Sequence, residues 1–259
     1  MNLKESSEYL NILRKSEKKF AISKGDVVAA SLCTFLNPYS YLMLRAHSQV
    51  LENFDVIGVD GFSLAVFLRL AGVCNSPRVS FDMTSVAMDV FKYAEATGRT
   101  VFLVGSTQEN LDTAVQHILA RFPALKFCGA SHGFFDDEGE AALIAGINWI
   151  GADIVICGMG AVKQEKFLAA LNVSGWQGKG YSCGGFIHQI AKGSLDYYPQ
   201  WMNRLNLRWI FRILDEPKLL KRYFIDYPIA IGLLLRDAVN YHILRVQDKR
   251  RKIAFIRSP

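Results

Sequence analysis

The sequence predicts an α/β fold, with a mostly parallel sheet that carries helices on both faces and a helical, basic C-terminal appendage. Short apolar runs rich in β-branched residues alternate with helical segments of about ten to fifteen residues, which is typical of βαβ units. From about Ser194 the strand signals stop and consecutive helices follow. Residues 217–259 carry ten Lys or Arg against three Asp, whereas the rest of the chain is almost neutral. We therefore predict an α/β body over residues 1–195 and an appendage over residues 196–259.

The individual elements follow from the apolar periodicity and from the turn residues between them. Residues 1–26 are predicted to form a helix and a polar connector. Strands are predicted at residues 26–33, 54–59, 100–104, 125–129, 153–157 and 179–183. Helices are predicted in the body at residues 39–51, 61–70, 85–96, 107–121 and 141–149 and from residue 163, and in the appendage at residues 199–206 and 207–214 and from residue 217. No internal repeat interrupts this order, so the body is predicted to be one α/β unit.

Composition narrows the class of protein. With 259 residues, 51% hydrophobic and 21% charged, the chain can bury a sizeable core, which excludes a disordered protein. Five scattered cysteines without a CxxC pair argue for a reducing compartment and against a zinc site or a disulfide framework. The polar N-terminus does not resemble a signal peptide, and no apolar stretch reaches the roughly 20 residues of a membrane span. The basic appendage predicts an anionic partner, such as a lipid surface or nucleic acid.

A candidate binding site lies in residues 151–166, GADIVICGMGAVKQEK. A buried strand is followed by a turn with Gly158 and Gly160, where backbone could approach a ligand, and then by a helix that begins near Lys163. Helix N-termini favour anions, and crevices at the carboxyl ends of strands are where α/β folds bind ligands. An ordinary tight connection between a strand and a helix is the alternative interpretation.

Several polar residues have two interpretations. Asp60 follows the second predicted strand, so it could act as a general base or cap the next helix. Residues 136–138, Asp-Asp-Glu, could bind a cation, but their position before a helix favours capping. His132 and His188 lie in loops or first turns near the predicted strand ends. No GxGxxG follows the first strand, and GxSxG, Walker and HExxH motifs are absent from the sequence, which counts against a nicotinamide enzyme.

Several stretches together resemble one family. They are Asn37-Pro38, Asp60-Gly61, Arg78-Val79-Ser80, Ser131-His132-Gly133-Phe134-Phe135, Gly151-Ala152-Asp153, Gly158 with Lys163-Gln164-Glu165-Lys166, Gly184-Gly185 with Gly193, Pro199-Gln200-Trp201-Met202, and Trp209 through Arg212 to Glu216-Pro217. In this order they resemble the WecG/TagA/CpsF glycosyltransferases of bacterial surface-polysaccharide synthesis. The resemblance covers residues 32–222, which is most of the chain.

The resemblance implies a Rossmann-like, inverting enzyme that moves a sugar from a UDP-sugar to a polyprenyl-diphosphate-linked saccharide, without a metal or other cofactor. It implies a location at the cytoplasmic face of the bacterial plasma membrane. Asp60 is the implied base, and Asn37, Arg78 and Gln164 are implied to line the pocket. The helix start at Lys163 and the appendage arginines are expected to bind the diphosphate. The full set of expected substrate-binding residues is Asn37, Arg78, His132, Gly158, Gly160, Lys163, Gln164, Glu165, Gly184, Gly185, Arg208, Arg212 and Arg222.

The chain departs from the family pattern at several positions, which leaves the donor sugar open. They are Phe35 in place of Thr, Tyr39 in place of Glu, Val162 in place of Pro, Phe134 in place of Tyr, His188 in place of a carboxylate, and Asp82 one residue early. The alternative function is a Rossmann-type nucleotide-binding or redox protein whose tail binds nucleic acid or membrane. For the glycosyltransferase we expect no nucleic-acid partner, and a homo-oligomer remains an open alternative.

The appendage is predicted to serve as a membrane anchor and as a lid over the site. Its apolar residues are dense, but Asp226, Arg236 and Asp237 interrupt them, so the segment should lie in the membrane interface rather than span it. The alternative is a helix packed on the body or on a second subunit, with a solvated basic end.

Overall fold

The computed structural model of the chain describes residues 12–13, 18–193 and 208–256, and its centre is a six-stranded parallel sheet. The strands are β1 Leu32–Leu36, β2 Val56–Val59, β3 Thr100–Gly105, β4 Lys126–Ser131, β5 Ile154–Gly158 and β6 Lys179–Ser182. Their order across the sheet is β2-β1-β6-β5-β3-β4. Because every strand runs the same way, all carboxyl ends meet at one edge. The predicted α/β fold class is confirmed.

Helices connect the strands and cover both faces of the sheet. Those of the body are α1 Lys24–Ala29, α2 Pro38–Leu44, α3 Phe62–Leu70, α4 Val86–Thr97, α5 Gln108–Arg121, α6 Asp137–Ile150, α7 Lys163–Val173 and α8 Phe186–Gly193. A 3-10 helix, Arg45–Asn53, follows α2 and is kinked at His47. The predicted helix at residues 39–51 is therefore two helical pieces.

The core has two sides, as expected for a sheet buried on both faces. Along β3, Val101 and Leu103 join one cluster of buried side chains, together with residues of α4, α5 and α8. Phe102 and Val104, which alternate with them, join another cluster with residues of α6 and α7. This two-sided burial explains why the sequence of β3 reads as a continuous apolar run.

The predicted strand at residues 26–33 is wrong in its first half. Residues Lys24–Ala29 form α1, and the strand begins only at Leu32. Ser23 caps the helix by accepting from the Asp26 backbone N–H, while the Asp26 carboxylate accepts from the Ser23 backbone N–H. This reciprocal capping box stabilises a helix start that the apolar Val27-Val28 pair conceals.

The described part of the appendage consists of α9 Arg208–Asp215, a 3-10 turn Pro217–Leu219, a π-helical turn Arg222–Asp226 and the long helix α10 Tyr227–Ile256. One face of α10 packs on the body. The predicted helix at residues 199–206 and the predicted boundary between residues 195 and 196 lie outside the described residues, so that boundary stays a prediction. In the described ranges, no helix is both long and apolar enough to cross a bilayer.

A buried ion pair joins α10 to the body. Arg45 donates to Asp237 through two nitrogens at 2.9 and 2.8 Å, and the Tyr41 hydroxyl donates to the same carboxylate at 2.6 Å. Leu234, together with Ala238 and Tyr241, enters a core cluster shared with α2 and α3. The alternative of a helix packed on the body therefore describes one face of α10.

Candidate active site

The carboxyl edge of the sheet collects most of the residues predicted to form the site. Asn37 follows β1, Asp60 follows β2, and His132 follows β4. Gly160 follows β5 and Gly184 follows β6. The sheet order places the ends of β2, β1, β6 and β5 side by side, so these four ends can form one continuous crevice.

Asp60 does not cap the helix that follows it. The N-cap of α3 is Gly61, at φ +102°, a residue without a side chain that could make a capping bond. The Asp60 backbone N–H donates to the Leu36 carbonyl at 2.7 Å, while its half-exposed carboxylate lies 3.6 Å from Arg78. The capping interpretation is therefore wrong, and the carboxylate faces the crevice beside a guanidinium.

Asn37 performs two tasks at the start of α2. Its side-chain oxygen accepts from the Ser40 backbone N–H at 2.9 Å, and the Ser40 hydroxyl accepts from the Asn37 backbone N–H at 2.8 Å. The oxygen is thus used for capping. The NH₂ group of the same side chain is the part that can donate to a substrate.

Glu165 and Gln164 form a buried polar network beneath the crevice. The Glu165 carboxylate accepts from the Thr34 hydroxyl at 2.9 Å, from the Gln164 amide at 2.7 Å and from the Val162 backbone N–H at 2.7 Å. Gln164 in turn accepts from the Gly184 backbone N–H at 3.1 Å. Burial raises the pKa of Glu165, and the bonds that it accepts oppose that rise. These side chains hold the turns after β5 and β6 in place.

The glycines near this network differ in their roles. A Cβ on Gly158 would lie 2.8 Å from both the Cys183 sulfur and the Gly184 carbonyl oxygen, so packing within the protein requires this glycine. Around Gly160, at φ +84°, and Gly184, at φ +56°, no heavy atom of the described residues comes within 4 Å of the place that a Cβ would take. The backbone there is open to a ligand. The expectation of close ligand approach therefore fits Gly160 and Gly184 better than Gly158.

Helix α7 begins beside these open glycines. Val162, which precedes it, has φ +74°, an unusual conformation for a β-branched residue, and its N–H is held by Glu165. Lys163 is exposed in the first turn of the helix. The start of α7 thus places the positive end of the helix dipole and the Lys163 cation at the carboxyl edge, which favours an anion there.

The appendage adds arginine and tyrosine side chains to the same crevice. Arg212 lies 3.0 Å from Glu216, and one of its nitrogens is 3.3 Å from the position of a Cβ on Gly185. Arg222 stacks on the Tyr39 ring at 3.9 Å. The side chain of Arg208 lies outside the described residues, so its predicted role stays a prediction.

Tyr223 and Tyr227 lie within electrostatic reach of Asp60, and the sequence interpretation did not single them out. Burial raises the pKa of both hydroxyls, and the nearby Asp60 carboxylate raises it further. Arg212 and Arg222 act in the opposite direction on both hydroxyls. The spacing of four residues, which places both rings on one helical face, was the signal available in the sequence.

His132 is not brought together with Asp60. Its ring accepts from the Phe134 backbone N–H at 3.2 Å and is exposed. It follows β4, at the opposite end of the sheet from β2, and five strand spacings of about 4.8 Å separate them by roughly 24 Å. The structure therefore places His132 at the far end of the carboxyl edge.

Two acidic clusters contain the residue types of a metal site. Asp136 caps α6 by accepting from the Gly139 backbone N–H at 2.8 Å, which agrees with the capping interpretation. Among the described residues, one cluster has metal-ligand spacing, and it is a different one, namely His188, Asp215 and Glu216. Glu216 lies 3.0 Å from Arg212 and 3.1 Å from Lys218, so cations of the protein already occupy this carboxylate.

The fold and the site together define a class of protein. A parallel α/β sheet with a carboxylate, a guanidinium and an anion-binding helix start at its carboxyl edge is suited to a transferase that uses a phosphorylated donor. The model of the glycosyl transferase WecG/TagA/CpsF family matches residues 12–243. The chain belongs to this family and is therefore a glycosyltransferase, so the redox alternative is wrong.

Two similar proteins indicate the range of reactions in the family. The chain is 32% identical over 195 residues to a UDP-Gal:alpha-D-GlcNAc-diphosphoundecaprenol beta-1,4-galactosyltransferase of Shigella boydii, covering 75% of this chain and 81% of that protein. It is 29% identical over 199 residues to an N-acetylglucosaminyldiphosphoundecaprenol N-acetyl-beta-D-mannosaminyltransferase of Bacillus subtilis (strain 168), covering 74% and 73%.

Proposed function

We propose that the protein transfers a hexose from a UDP-sugar to a saccharide linked to polyprenyl diphosphate. The configuration of the anomeric carbon of the transferred sugar is inverted in this reaction. The names of both relatives specify β-linked products and a diphosphoundecaprenol acceptor, and one specifies UDP-Gal as donor. The observation that carries the proposal is the half-exposed Asp60 carboxylate beside Arg78, on the same crevice as the start of α7.

In the proposed reaction Asp60 takes the proton of the attacking acceptor hydroxyl. The hydroxyl oxygen forms the new glycosidic bond as the bond from the sugar to the UDP oxygen breaks, and the electron pair leaves on the diphosphate. One displacement inverts the configuration, so the reaction needs no covalent enzyme intermediate. The half-exposed position of Asp60 supports this role, because a base must reach the substrate.

Negative charge develops on the leaving diphosphate, so it needs donors and cations. The positive end of the α7 dipole and the exposed Lys163 can supply positive charge from the body. Arg212, which lies beside Gly185 after β6, and Arg222, which stacks on Tyr39 in the first turn of α2, can supply charge from the appendage. We assign the two arginines to the diphosphate on this ground.

The test is a UDP-release assay with a polyprenyl-diphosphate-linked N-acetylglucosamine acceptor and a panel of UDP-galactose, UDP-N-acetylmannosamine and UDP-glucose. Asp60→Asn should lower turnover by about 10²–10⁴-fold, the usual contribution of a general base, while UDP binding measured by calorimetry is retained. Asp112→Asn, on the exposed side of α5, is the matched control and should be unaffected. Near-normal turnover of Asp60→Asn at saturating acceptor would remove Asp60 from the mechanism.

We also propose that the appendage holds the enzyme on the inner face of the plasma membrane. On α10, Leu235, Val239, Ile243 and Val246 recur at helical spacing and are 50–59% exposed. They alternate with the packed residues of the same helix. Exposed basic residues of the appendage, including Arg236 and Arg245, would attract anionic headgroups at about 1 kcal/mol each.

Sedimentation with phosphatidylglycerol vesicles, compared with phosphatidylcholine vesicles, tests this location. The double variant Val239→Glu, Ile243→Glu should weaken binding by roughly tenfold or more, since each apolar side chain contributes about 1–2 kcal/mol. Val173→Glu, which changes an equally apolar side chain that is 76% exposed on the body, is the control. If the double variant instead dissociates an oligomer without affecting vesicle binding, the exposed face of α10 is a subunit contact.

A further inference from the structure

Arg78 makes its closest contacts with the loop that follows it rather than with Asp60. Its Nη2 atom donates to the Ser80 hydroxyl at 2.7 Å and to the Asp82 carboxylate at 2.9 Å. The same nitrogen lies 3.6 Å from Asp60, beyond hydrogen-bond distance. An Nη2 group has two hydrogens, and both are directed at Ser80 and Asp82. Asp60 therefore feels the charge of this guanidinium without accepting a hydrogen bond from that nitrogen.

Asp82 is itself firmly held. One of its oxygens accepts from the Ser80 hydroxyl at 2.6 Å as well as from Arg78. The other accepts from the Thr84 backbone N–H at 2.9 Å and from the Thr84 hydroxyl at 2.6 Å. The carboxylate is 14% exposed, so it is a mostly buried, fixed anchor for the guanidinium.

We infer that Asp82 is a positioning residue for the transfer reaction, holding Arg78 close to Asp60 while the Nη2 hydrogens are directed elsewhere. This inference rests on the proposed role of Asp60 as base. A carboxylate that is engaged by a guanidinium fork is a weak base, because its lone pairs and its charge are both neutralised. With Arg78 anchored on Asp82, this fork does not form on Asp60, and the acceptor hydroxyl can compete for the carboxylate. The guanidinium can still support the charge of the substrate.

Removal of the Asp82 charge should shift the titration of Asp60 in one direction only. Without the Asp82 charge, Arg78 can move by roughly 0.5–1 Å towards Asp60 and pair with it directly, as arginine–carboxylate pairs normally do at about 2.8 Å. Closer pairing favours the ionised form of Asp60, and loss of a neighbouring negative charge does the same. Asp60 should then titrate at lower pH and act as a weaker base.

Other charged groups near Asp60 are common to all variants of the test. Tyr223 and Tyr227 face it from the appendage, and both are buried hydroxyls with raised pKa values that stay neutral over the assay range. Arg212 and Arg222 act on the same tyrosines and stay charged at every pH used. None of these four groups titrates over the pH range where a carboxylate does. Asp82 on Arg78 and Glu216 on Arg212 are carboxylates too, so a shift is assigned to Asp60 only through the NMR signal that is lost in Asp60→Asn.

The experiment measures the pH dependence of kcat/KM and, separately, the titration of the Asp60 carboxyl carbon by NMR, identified by its absence in Asp60→Asn. In Asp82→Asn we expect the acidic limb and the NMR midpoint to move to lower pH by roughly one unit. Turnover at neutral pH should fall about three- to tenfold, as expected for a base weakened by that amount. Ser80→Ala frees one hydrogen of the same nitrogen and should cause a smaller change in the same direction.

Two controls separate positioning from loop stability. Thr84→Val removes a bond to the other Asp82 oxygen and should leave both titrations unchanged. In an Arg78→Ala background, Asp82→Asn should lose most of its effect. An equal shift without Arg78, or no shift in either Asp82→Asn or Ser80→Ala, overturns the inference. If the NMR midpoint moves as expected while Asp60→Asn remains active, Asp82 does keep Arg78 from pairing with Asp60, but the assignment of Asp60 as base fails and the role of Asp82 in transfer fails with it.

Discussion

Asp237→Ala should loosen the C-terminal helix from the body and thereby impair transfer, although Asp237 belongs to the packed face of α10 rather than to the crevice. The carboxylate is 4% exposed and accepts from Arg45 and from the Tyr41 hydroxyl. Burial, with Asp237 beside it, raises the pKa of Tyr41 well above its ordinary value, so this hydroxyl remains a donor. The substitution leaves two buried donor groups without this acceptor.

The free-energy cost of Asp237→Ala is set by the groups that remain, Arg45 and Tyr41. Removing one member of a buried ion pair costs about 3–5 kcal/mol, because the remaining charge stays in a poorly solvated position. The packed apolar side chains Ala230, Leu234, Ala238 and Tyr241 together stabilise docking by roughly 5 kcal/mol. The two quantities are similar, so we expect α10 to detach locally rather than the whole body to unfold.

Hydrogen exchange measured by mass spectrometry distinguishes these outcomes. In Asp237→Ala, protection should fall across α10 and the exposed end of α2, whereas β3 and β5 at the centre of the sheet stay protected. Gln247→Ala, a change at an exposed polar position of the same helix, is the matched control. The double variant Arg45→Met, Asp237→Leu replaces the pair by apolar groups and should regain most of the protection.

Sugar transfer should decline in the variants in which α10 loses protection, and should be retained in the others. The turn Arg222–Asp226 and Tyr227 precede the docked part of α10, so a loosened helix no longer fixes Arg222 and the tyrosines beside Asp60. UDP binding by the body should be less affected than turnover. Unchanged exchange in α10, or equal effects of Asp237→Ala and Gln247→Ala, would refute the reasoning.

Three further predictions concern other parts of the molecule. Glu165→Gln should lower the free energy of unfolding by about 1–3 kcal/mol in urea titrations, because an NH₂ group then faces donors that the carboxylate had accepted from, such as Thr34; a neutral result would show that the network tolerates loss of an acceptor. Burial lowers the pKa of His188 below 6.5, with Glu216 opposing, so its neutral form is favoured in the folded state. As pH falls, the unfolded chain therefore binds a proton at this histidine before the folded protein does, and stability should decline below about pH 6.5. The decline should be smaller in His188→Gln, which thermal melts of both proteins at pH 5 and 7.5 can test. Turnover should survive EDTA, since Asp136 caps α6; complete loss restored by magnesium or manganese would revive a metal site at residues 136–138.

Local sequence patterns were sufficient to predict most strands of the sheet. β3 and β5 are buried on both faces, and their apolar runs between glycine turns have no competing local interpretation. The error at residues 26–33 arose where the apolar Val27 and Val28 fit a strand as well as one face of a short helix. The Ser23-x-x-Asp26 spacing was the signal that identifies the helix, and the apolar content of the next residues outweighed it.

The candidate site was only partly predictable because its contacts depend on strand order. Thr34 lies in β1 and Glu165 lies in the helix after β5, 131 residues further along the chain. Their side chains meet because the sheet order leaves only one strand, β6, between β1 and β5. No local pattern specifies that order. The same order separates His132 from Asp60, although both follow strands at the same edge. Sequence could thus assign residues to the carboxyl edge but could not tell which of them share one end of it.

One short helix, α2, connects the crevice with the docking of the appendage. Its N-cap Asn37 stands at the substrate edge, and Tyr39 in its first turn stacks on Arg222. Tyr41, one turn beyond Asn37, and Arg45, just after the end of α2, bond to Asp237 on α10. Because these contacts all belong to α2 or to the residue after it, we expect displacement of α10 to disturb both the amide of Asn37 and the ring beneath Arg222. The contacts of α2 thus link the appendage to the crevice, which is why we expect a buried pair on the packed face of α10 to influence turnover.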